Sequence, residues 1–446
     1  MKRKLISLFL ALTLLLCIQP VRVQAAGSDD LLDYSGMKGW PEGPEIGCEG
    51  AILIELNSGA VLFQKNATEK LYPASITKIL TALVVVENAQ LYETVTFSRE
   101  AIHDLEEGAF SYMADTGDQL TVRDCLYAML LMSSNEAAYA LAEHVGRSVS
   151  GFAYLMNKRA QEIGCSNTNF VSPHGLFNED HYTCCRDMAL IMREALKNDT
   201  FREIAEAYDY TTAPTKTQPE GYFCRTTHPM RLVGNEYYDS RVVTGKTGYT
   251  SASQYTLVTY AKAGELDLVC VTMKGESRAM TCEDTGKLFA YGFNNFSFQP
   301  ISTEADLAQL ETVIQEQLNR VVQNISFSND ARALLPFKST DVEIENEFVV
   351  DPRTERDNHV SGTVTYYYDG HKLGMDSVEI MLIPQDPEDQ KNESVIDTII
   401  KEIKNDRMLM ALCILVCLFL VLLLLLAVVS LLNRRMRRKR KKDKES

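Results

Sequence analysis

The stretch Pro73-Ala74-Ser75-Ile76-Thr77-Lys78 opens a run, residues 75–86, whose apolar side chains recur at helical spacing. A spacing of three sets Ser75 and Lys78 on one face, one turn apart, so the amine reaches the hydroxyl. A helix N-terminus also favours an incoming oxyanion. A lysine buried there by apolar neighbours has a depressed pKa and can take the serine proton. Ser75 is thus a candidate nucleophile and Lys78 its base. A second Ser-x-x-Lys, Ser35 to Lys38, is set aside because Gly36 and Gly39 surround it and no apolar helix follows.

Upstream, residues 51–56 and 60–63 are short apolar strands joined by Asn57-Ser58-Gly59, a hairpin signal. Downstream, helical spacing returns over 122–132, 135–145, 151–163 and 185–196. Residues 241–247, 255–262 and 266–273 then read as strands, with Ala263-Gly264 turning the last pair and a helix-like segment at 288–293. Strands on both sides of a helical middle predict one sheet built from the two ends of a domain. The fold class is α+β, an antiparallel sheet flanked by helices.

Two further motifs fall on this framework. Ser133-Ser134-Asn135 lies between two helical runs, where a loop points a hydroxyl and an amide into a cleft. For the tripeptide alone, a helix cap is the plainer reading. Lys246-Thr247-Gly248 ends an apolar strand. There a lysine and a threonine hydroxyl bind a carboxylate, while glycine lets a substrate backbone lie alongside.

After residue 295 the composition changes. Residues 302–325 carry apolar side chains at helical spacing with Ser302 as N-cap, followed by period-two strands at 341–349, 359–368 and 377–382. The expected organisation is a catalytic domain over 27–296, a small β-rich domain with a leading helix over 297–384 and a polar linker over 385–407.

The two ends have their own chemistry. Lys2-Arg3-Lys4, an apolar run and Val23-Gln24-Ala25-Ala26 form the pattern of a secretory leader, residues 1–26. Residues 408–432 are 25 uncharged residues, enough to cross ~30 Å of hydrocarbon with some tilt. Arg434, Arg435, Arg437, Arg438, Lys439 and Arg440 follow, where cytoplasmic charge belongs, in a tail over 433–446. The expectation is an exported body on a single C-terminal membrane span, working without ATP. The basic ends hide an acidic middle: against a total of −15, the leader is +4 and the tail +7, leaving −26 between them. So acidic a body excludes nucleic acid as a partner. A hydrophobic content of 46% excludes a wholly disordered chain. Eight of the 11 cysteines lie outside leader and span, and spacing leaves their pairing open. With no CxxC and no HExxH, neither a metal nor another cofactor is expected, and Cys184-Cys185 with His181 reads as packing.

Ser-x-x-Lys, Ser-x-Asn and Lys-Thr-Gly, in that order on helix start, inter-helix loop and strand end, form the signature of penicillin-binding proteins and class A β-lactamases. From about Gly43 to Phe296 the sequence resembles the low-molecular-mass penicillin-binding proteins, the D-alanyl-D-alanine carboxypeptidases of peptidase family S11. Gly164, Thr168-Asn169-Phe170-Val171-Ser172-Pro173-His174-Gly175-Leu176, Thr183-Cys184-Cys185-Arg186-Asp187-Met188-Ala189 and Lys246-Thr247-Gly248-Tyr249-Thr250 carry that resemblance. Departures are Ser172 for the usual asparagine, Cys184 for threonine and Gln254 for a common glycine. A full apolar span also replaces the amphipathic anchor some members use.

The resemblance implies a penicillin-binding-protein fold and a serine peptidase removing terminal D-alanine from peptidoglycan stem peptides, with β-lactams as covalent inhibitors. It implies that Ser75 is acylated, Lys78 is the base, and Ser133 and Asn135 line the cleft, Ser133 relaying the proton. Lys246, Thr247 and Gly248 would hold the terminal carboxylate, with Arg231 near it. The backbone amides of Ser75 and Tyr249 would form the oxyanion hole. Two alternatives stay open: a class A β-lactamase and a silent cell-wall-binding protein. The first needs a Glu-x-x-Leu-Asn segment, and the corresponding region reads Ser166-Asn167-Thr168-Asn169-Phe170. The second is disfavoured by intact motifs.

Overall fold

In a computed structural model the described residues run from 31 to 383, apart from 35–36, 38, 104–113, 301–303, 319, 328–331, 337–343, 357 and 369. The expected leader, linker, span and tail, the Ser35 and Lys38 pair and the Ser302 cap all lie outside them. Among the described residues no helix is long and apolar enough to cross a membrane.

Strand β2 (Gly50–Glu55) is buried at all six positions, because both of its faces are covered. Alternate side chains point to opposite faces. Ile52 and Ile54 join the core formed with the helical layer. Leu53 faces helix α7 (Arg278–Asn295), whose Gly292 lies so close that an added Cβ would sit 3.0 Å from Leu53 Cδ2. Around β2 the sheet runs β1-β3-β2-β6-β5-β4, with β1 Leu32–Asp33, β3 Ala60–Lys65, β4 Val242–Thr250, β5 Gln254–Ala263 and β6 Leu266–Gly275. Only β1–β3 is parallel. The register pairs Leu53 with Cys270 and Val271 with Val258, which joins the N-terminal hairpin to the C-terminal strands. The sheet is built from the two ends of the domain, as the sequence predicts.

Helix α1 (Lys78–Asn88) is buried at every position from Lys78 to Val85, as a helix at the centre of a bundle must be. Around it pack α2 (Val122–Leu131), α3 (Asn135–Gly146), α4 (Val149–Ile163) and α5 (Cys185–Ala195). Cys184 caps α5, its sulfur accepting from the Asp187 amide at 3.4 Å, a weaker acceptor where threonine is usual. Helix α6 (Asp199–Glu206) is absent from the sequence reading, although Asn198 caps it and Phe201, Ile204 and Ala205 form its buried stripe.

The described residues divide into two compact units, residues 31–300 with 332–336, 344–347 and 364–376, and residues 304–327 with 348–363 and 377–383. Phe296–Pro300 pairs with Arg332–Pro336, so chain on both sides of residue 297 contributes to the first unit. A four-stranded sheet orders Val322–Phe327, His371–Leu382, His359–Tyr368 and Glu345–Arg356. The helix expected over 302–325 is shorter: it spans Glu304–Leu318, and Val322–Phe327 is a strand. Half-buried Val322, Ile325 and Phe327 pair against His371–Leu382, and pairing overrides the helical spacing.

Candidate active site

Ser75 sits on a tight 3-10 turn, Ala74–Thr77, that runs directly into α1 at Lys78. Ala74 has φ +50°, a left-handed conformation that costs a non-glycine residue ~1–2 kcal/mol. Three neighbours hold the turn. Thr256 on β5 donates its hydroxyl to the Pro73 carbonyl at 2.9 Å. Gly175, at φ +82°, lies so close that an added Cβ would sit 1.9 Å from the Ala74 carbonyl oxygen. Gly248 on β4 leaves room for the Ser75 amide, which would be 2.9 Å from a Cβ there. That approach brings the β4 backbone at Gly248 beside the Ser75 amide.

The Lys78 amine is fully buried and lies within hydrogen-bond distance of three oxygens: Ser75 Oγ at 2.9 Å, Asn135 Oδ1 at 2.7 Å and the His174 carbonyl at 2.9 Å. Burial, reinforced by the Lys246 ammonium, holds its pKa well below the usual lysine range. A neutral amine in hydrogen-bond contact with a serine hydroxyl is a general base. Ser75 itself is half-buried.

Of Ser133 and Asn135, Asn135 meets Lys78 directly. Asn135 is the first residue of α3, and its amide oxygen faces Lys78. The cap of α3 is Ser134, whose Oγ accepts from the Ala137 amide at 3.0 Å. Capping therefore falls to the middle serine and leaves Asn135 for Lys78. Ser133 stands at φ +65°, a second non-glycine residue held in the left-handed region.

Lys246 is buried, and its ammonium donates to the Thr247 carbonyl at 2.8 Å. Burial lowers its pKa to about 7. Thr247 is half-buried and Tyr249 is exposed, its ring 4.6 Å from that of Tyr255. Arg231 is buried in a short 3-10 turn beside β4. Its guanidinium donates to the carbonyls of Ala205, Glu206 and Ala207, at the C-terminal end of α6. These bonds make Arg231 a helix-terminus partner, a use the sequence does not show because α6 was unread. Together with Thr244, Gly245 and Lys246 it lines a small internal cavity.

The segment around His174 has a role that its side chains do not signal. It supplies one of the three Lys78 contacts through a main-chain oxygen, which no side-chain motif could signal. Among the described residues no group of three or more His, Cys, Asp or Glu side chains suits a metal ion, and the eight described cysteines are free thiols.

The family model for D-alanyl-D-alanine carboxypeptidases, peptidase S11, matches residues 38–277, just over half of the chain. The chain is 31% identical over 260 residues to D-alanyl-D-alanine carboxypeptidase DacF of Bacillus subtilis (strain 168), a match covering 57% of this chain and 64% of that protein. It thus spans just under two thirds of that relative. A match to D-alanyl-D-alanine carboxypeptidase DacA of Escherichia coli (strain K12) is 27% identical over 404 residues, covering 87% of this chain and 95% of the relative. The crystal structure of the Streptomyces K15 DD-transpeptidase superposes with a TM-score of 0.53 at 30% identity, covering 57% of this chain and 100% of that one. The sheet flanked by helices is therefore the transpeptidase-type fold of the penicillin-binding proteins. The buried lysine against its serine, on that fold and within the matched residues, places the chain in peptidase family S11, the D-alanyl-D-alanine carboxypeptidases.

Proposed function

We propose that the protein is a serine-type D-Ala-D-Ala carboxypeptidase that removes the terminal D-alanine from peptidoglycan stem pentapeptides. The observation that carries this reading is the fully buried Lys78 amine, 2.9 Å from Ser75 Oγ and 2.7 Å from Asn135 Oδ1. Lys78 takes the Ser75 proton as Oγ bonds to the carbonyl carbon of the penultimate residue. The resulting oxyanion lies against the Ser75 and Tyr249 amides, donors that typically supply a large share of the rate. The C–N bond breaks, and the Lys78 proton reaches the departing amine through Ser133. Water then attacks the acyl carbon and returns the free Ser75 hydroxyl. Lys246 and Thr247 hold the carboxylate of the leaving D-alanine, and Gly248 lets the peptide lie along β4.

A β-lactam enters by the same attack, because its ring amide mimics the scissile bond and its carboxylate fits Lys246 and Thr247. Its leaving group stays tethered to the acyl fragment and blocks the approach of water. The reading extends to place: a cleaved leader exports the body, and residues 408–432 tether it to the outer face of the membrane with the basic tail in the cytoplasm. Mass spectrometry of the ectodomain with synthetic pentapeptide and, separately, benzylpenicillin tests the chemistry. The expected result is many turnovers of peptide while the penicilloyl enzyme persists. Penicillin turnover as fast as peptide turnover would instead make the protein a β-lactamase, and no covalent adduct at all would make it a silent binder.

A further inference from the structure

Thr77 lies between the nucleophile and its base on the 3-10 turn, and its hydroxyl is fully buried. The partner of that hydroxyl is His181, with Nε2 at 3.0 Å. His181 comes from the segment leading into α5 and is 1% exposed. Its other ring nitrogen is committed: the Val171 amide donates to Nδ1 at 3.2 Å. An amide N–H can only donate, so Nδ1 is an acceptor and the ring proton resides on Nε2. His181 therefore donates to Thr77 Oγ1, and the direction of the bond is set by the backbone.

The same segment grips the turn at other points. Ser172 Oγ, 3.5 Å from His181 Nδ1 and 3.3 Å from His174 Nδ1, accepts from the Gly175 amide at 3.2 Å. The Leu176 amide donates to His174 Nδ1 at 3.1 Å, so this ring too carries its proton on Nε2. Gly175 lies on the Ala74 carbonyl and the Thr77 hydroxyl, and the His174 carbonyl accepts from Lys78. Thr81, one turn further along α1, donates to the Pro173 carbonyl at 2.6 Å.

We propose that His181 is a positioning residue for this active site: through Thr77 it fixes the turn that sets Ser75 Oγ against Lys78. The strain at Ala74 gives the turn a reason to relax when released, and His181 opposes that relaxation from the segment leading into α5. Neither ring touches the reacting atoms. The loss of the contact leaves a buried hydroxyl without its donor, the costly case for a hydrogen bond. The effect appears in the chemical step, since Lys246 and Thr247 hold the ligand from another element.

This inference rests on the acyl-enzyme reading, and the experiment keeps the two apart. Acylation by a fluorescent penicillin is followed by stopped flow on the full-length protein in detergent, resolving the noncovalent dissociation constant from the acylation rate constant. Wild-type protein that forms no adduct overturns the reading itself. Given wild-type acylation, His181→Leu and Thr77→Val are each expected to lower the acylation rate constant about ten- to a hundredfold and change the dissociation constant less than threefold. The double variant is expected to be no slower than the slower single one, because both remove one contact. Thr77→Ser, which keeps the hydroxyl, is expected to keep most of the rate. Multiplying losses in the double variant, or an unchanged rate in Thr77→Val, overturn the inference. If His181→Leu does not fold, the pair Thr77→Val and Thr77→Ser decides it: equal losses in the two would refute the role of the hydroxyl.

Discussion

Around the nucleophile, Thr77, Lys78, Thr81, Asn135 and His181 are all buried, and each is hydrogen-bonded to a residue distant in sequence. In the strand His359–Tyr368 the buried positions are Val360, Gly362, Val364 and Tyr366, alternating with half-buried ones. The first region excludes water from groups that favour it, at a cost that only matched partners offset. The second follows period-two patterning and gains from apolar burial at ~25 cal/mol per Å². The contrast separates a region organised for chemistry from one organised for stability, and substitutions should separate them too.

The largest effect belongs to the nucleophile. Ser75→Ala should abolish covalent penicillin labelling completely while circular dichroism and melting temperature stay close to wild type. Labelling that survives would move the nucleophile elsewhere.

Next comes Lys246. A charge-assisted contact to a carboxylate is worth ~1.5–3 kcal/mol, so Lys246→Ala should slow substrates with a free terminal carboxylate roughly ten- to a hundredfold. Esters and amides lacking that carboxylate should lose far less. Equal losses would assign Lys246 a general electrostatic effect rather than recognition.

The pH profile sharpens the same point. Lys246 binds the carboxylate as an ammonium, and burial places its pKa at about 7 in the free protein. Above that value the free protein loses the charge, so kcat/KM for a carboxylate substrate should fall about tenfold per pH unit. Bound carboxylate raises the pKa again, so kcat should hold to higher pH. Burial and the Lys246 ammonium both hold Lys78 well below the usual lysine range, which favours its neutral form. An alkaline limb near 10 in kcat/KM would contradict the assignment.

In the β-rich region the expectation reverses. Ile380 is fully buried in the strand His371–Leu382, and Ile380→Ala should cost about 2–5 kcal/mol of unfolding free energy. Penicillin acylation should change less than twofold under folding conditions. A matching fall in acylation would show that the two regions are not separable in this way.

The smallest effect lies at the turn between β4 and β5. Gln254 stands at φ +53°, in the turn where the family often has glycine. Gln254→Gly relieves the left-handed strain and loses some of that gain to a more flexible unfolded chain, for a net stabilisation of about 0.5–1 kcal/mol in denaturant titration. Destabilisation would show that the Gln254 side chain holds the turn.

Much of this was legible in residue patterns. Ser75 and Lys78 meet because three residues make one helical turn, a local relation that tertiary structure preserved even though the first turn is 3-10. The sheet from two chain ends followed from apolar runs interrupted by helical spacing, and its strand Gly50–Glu55 is buried on both faces. The pattern misled at residues 321–325, where the same β-branched side chains suit helix or strand and only pairing with His371–Leu382 decided. It also passed over α6, eight residues with one short apolar stripe.

What the amino-acid order determined alone is therefore the set of local relations: most of the elements, which serine has its lysine one turn away, and which residues can bear charge. Tertiary structure alone decided which oxygens surround Lys78, that Arg231 meets the end of α6, and that His181 reaches Thr77 across 104 positions of chain. The physical reason is range. Helical spacing and strand alternation act over a few residues, whereas a buried polar group takes whichever partner the packed core brings within 3 Å.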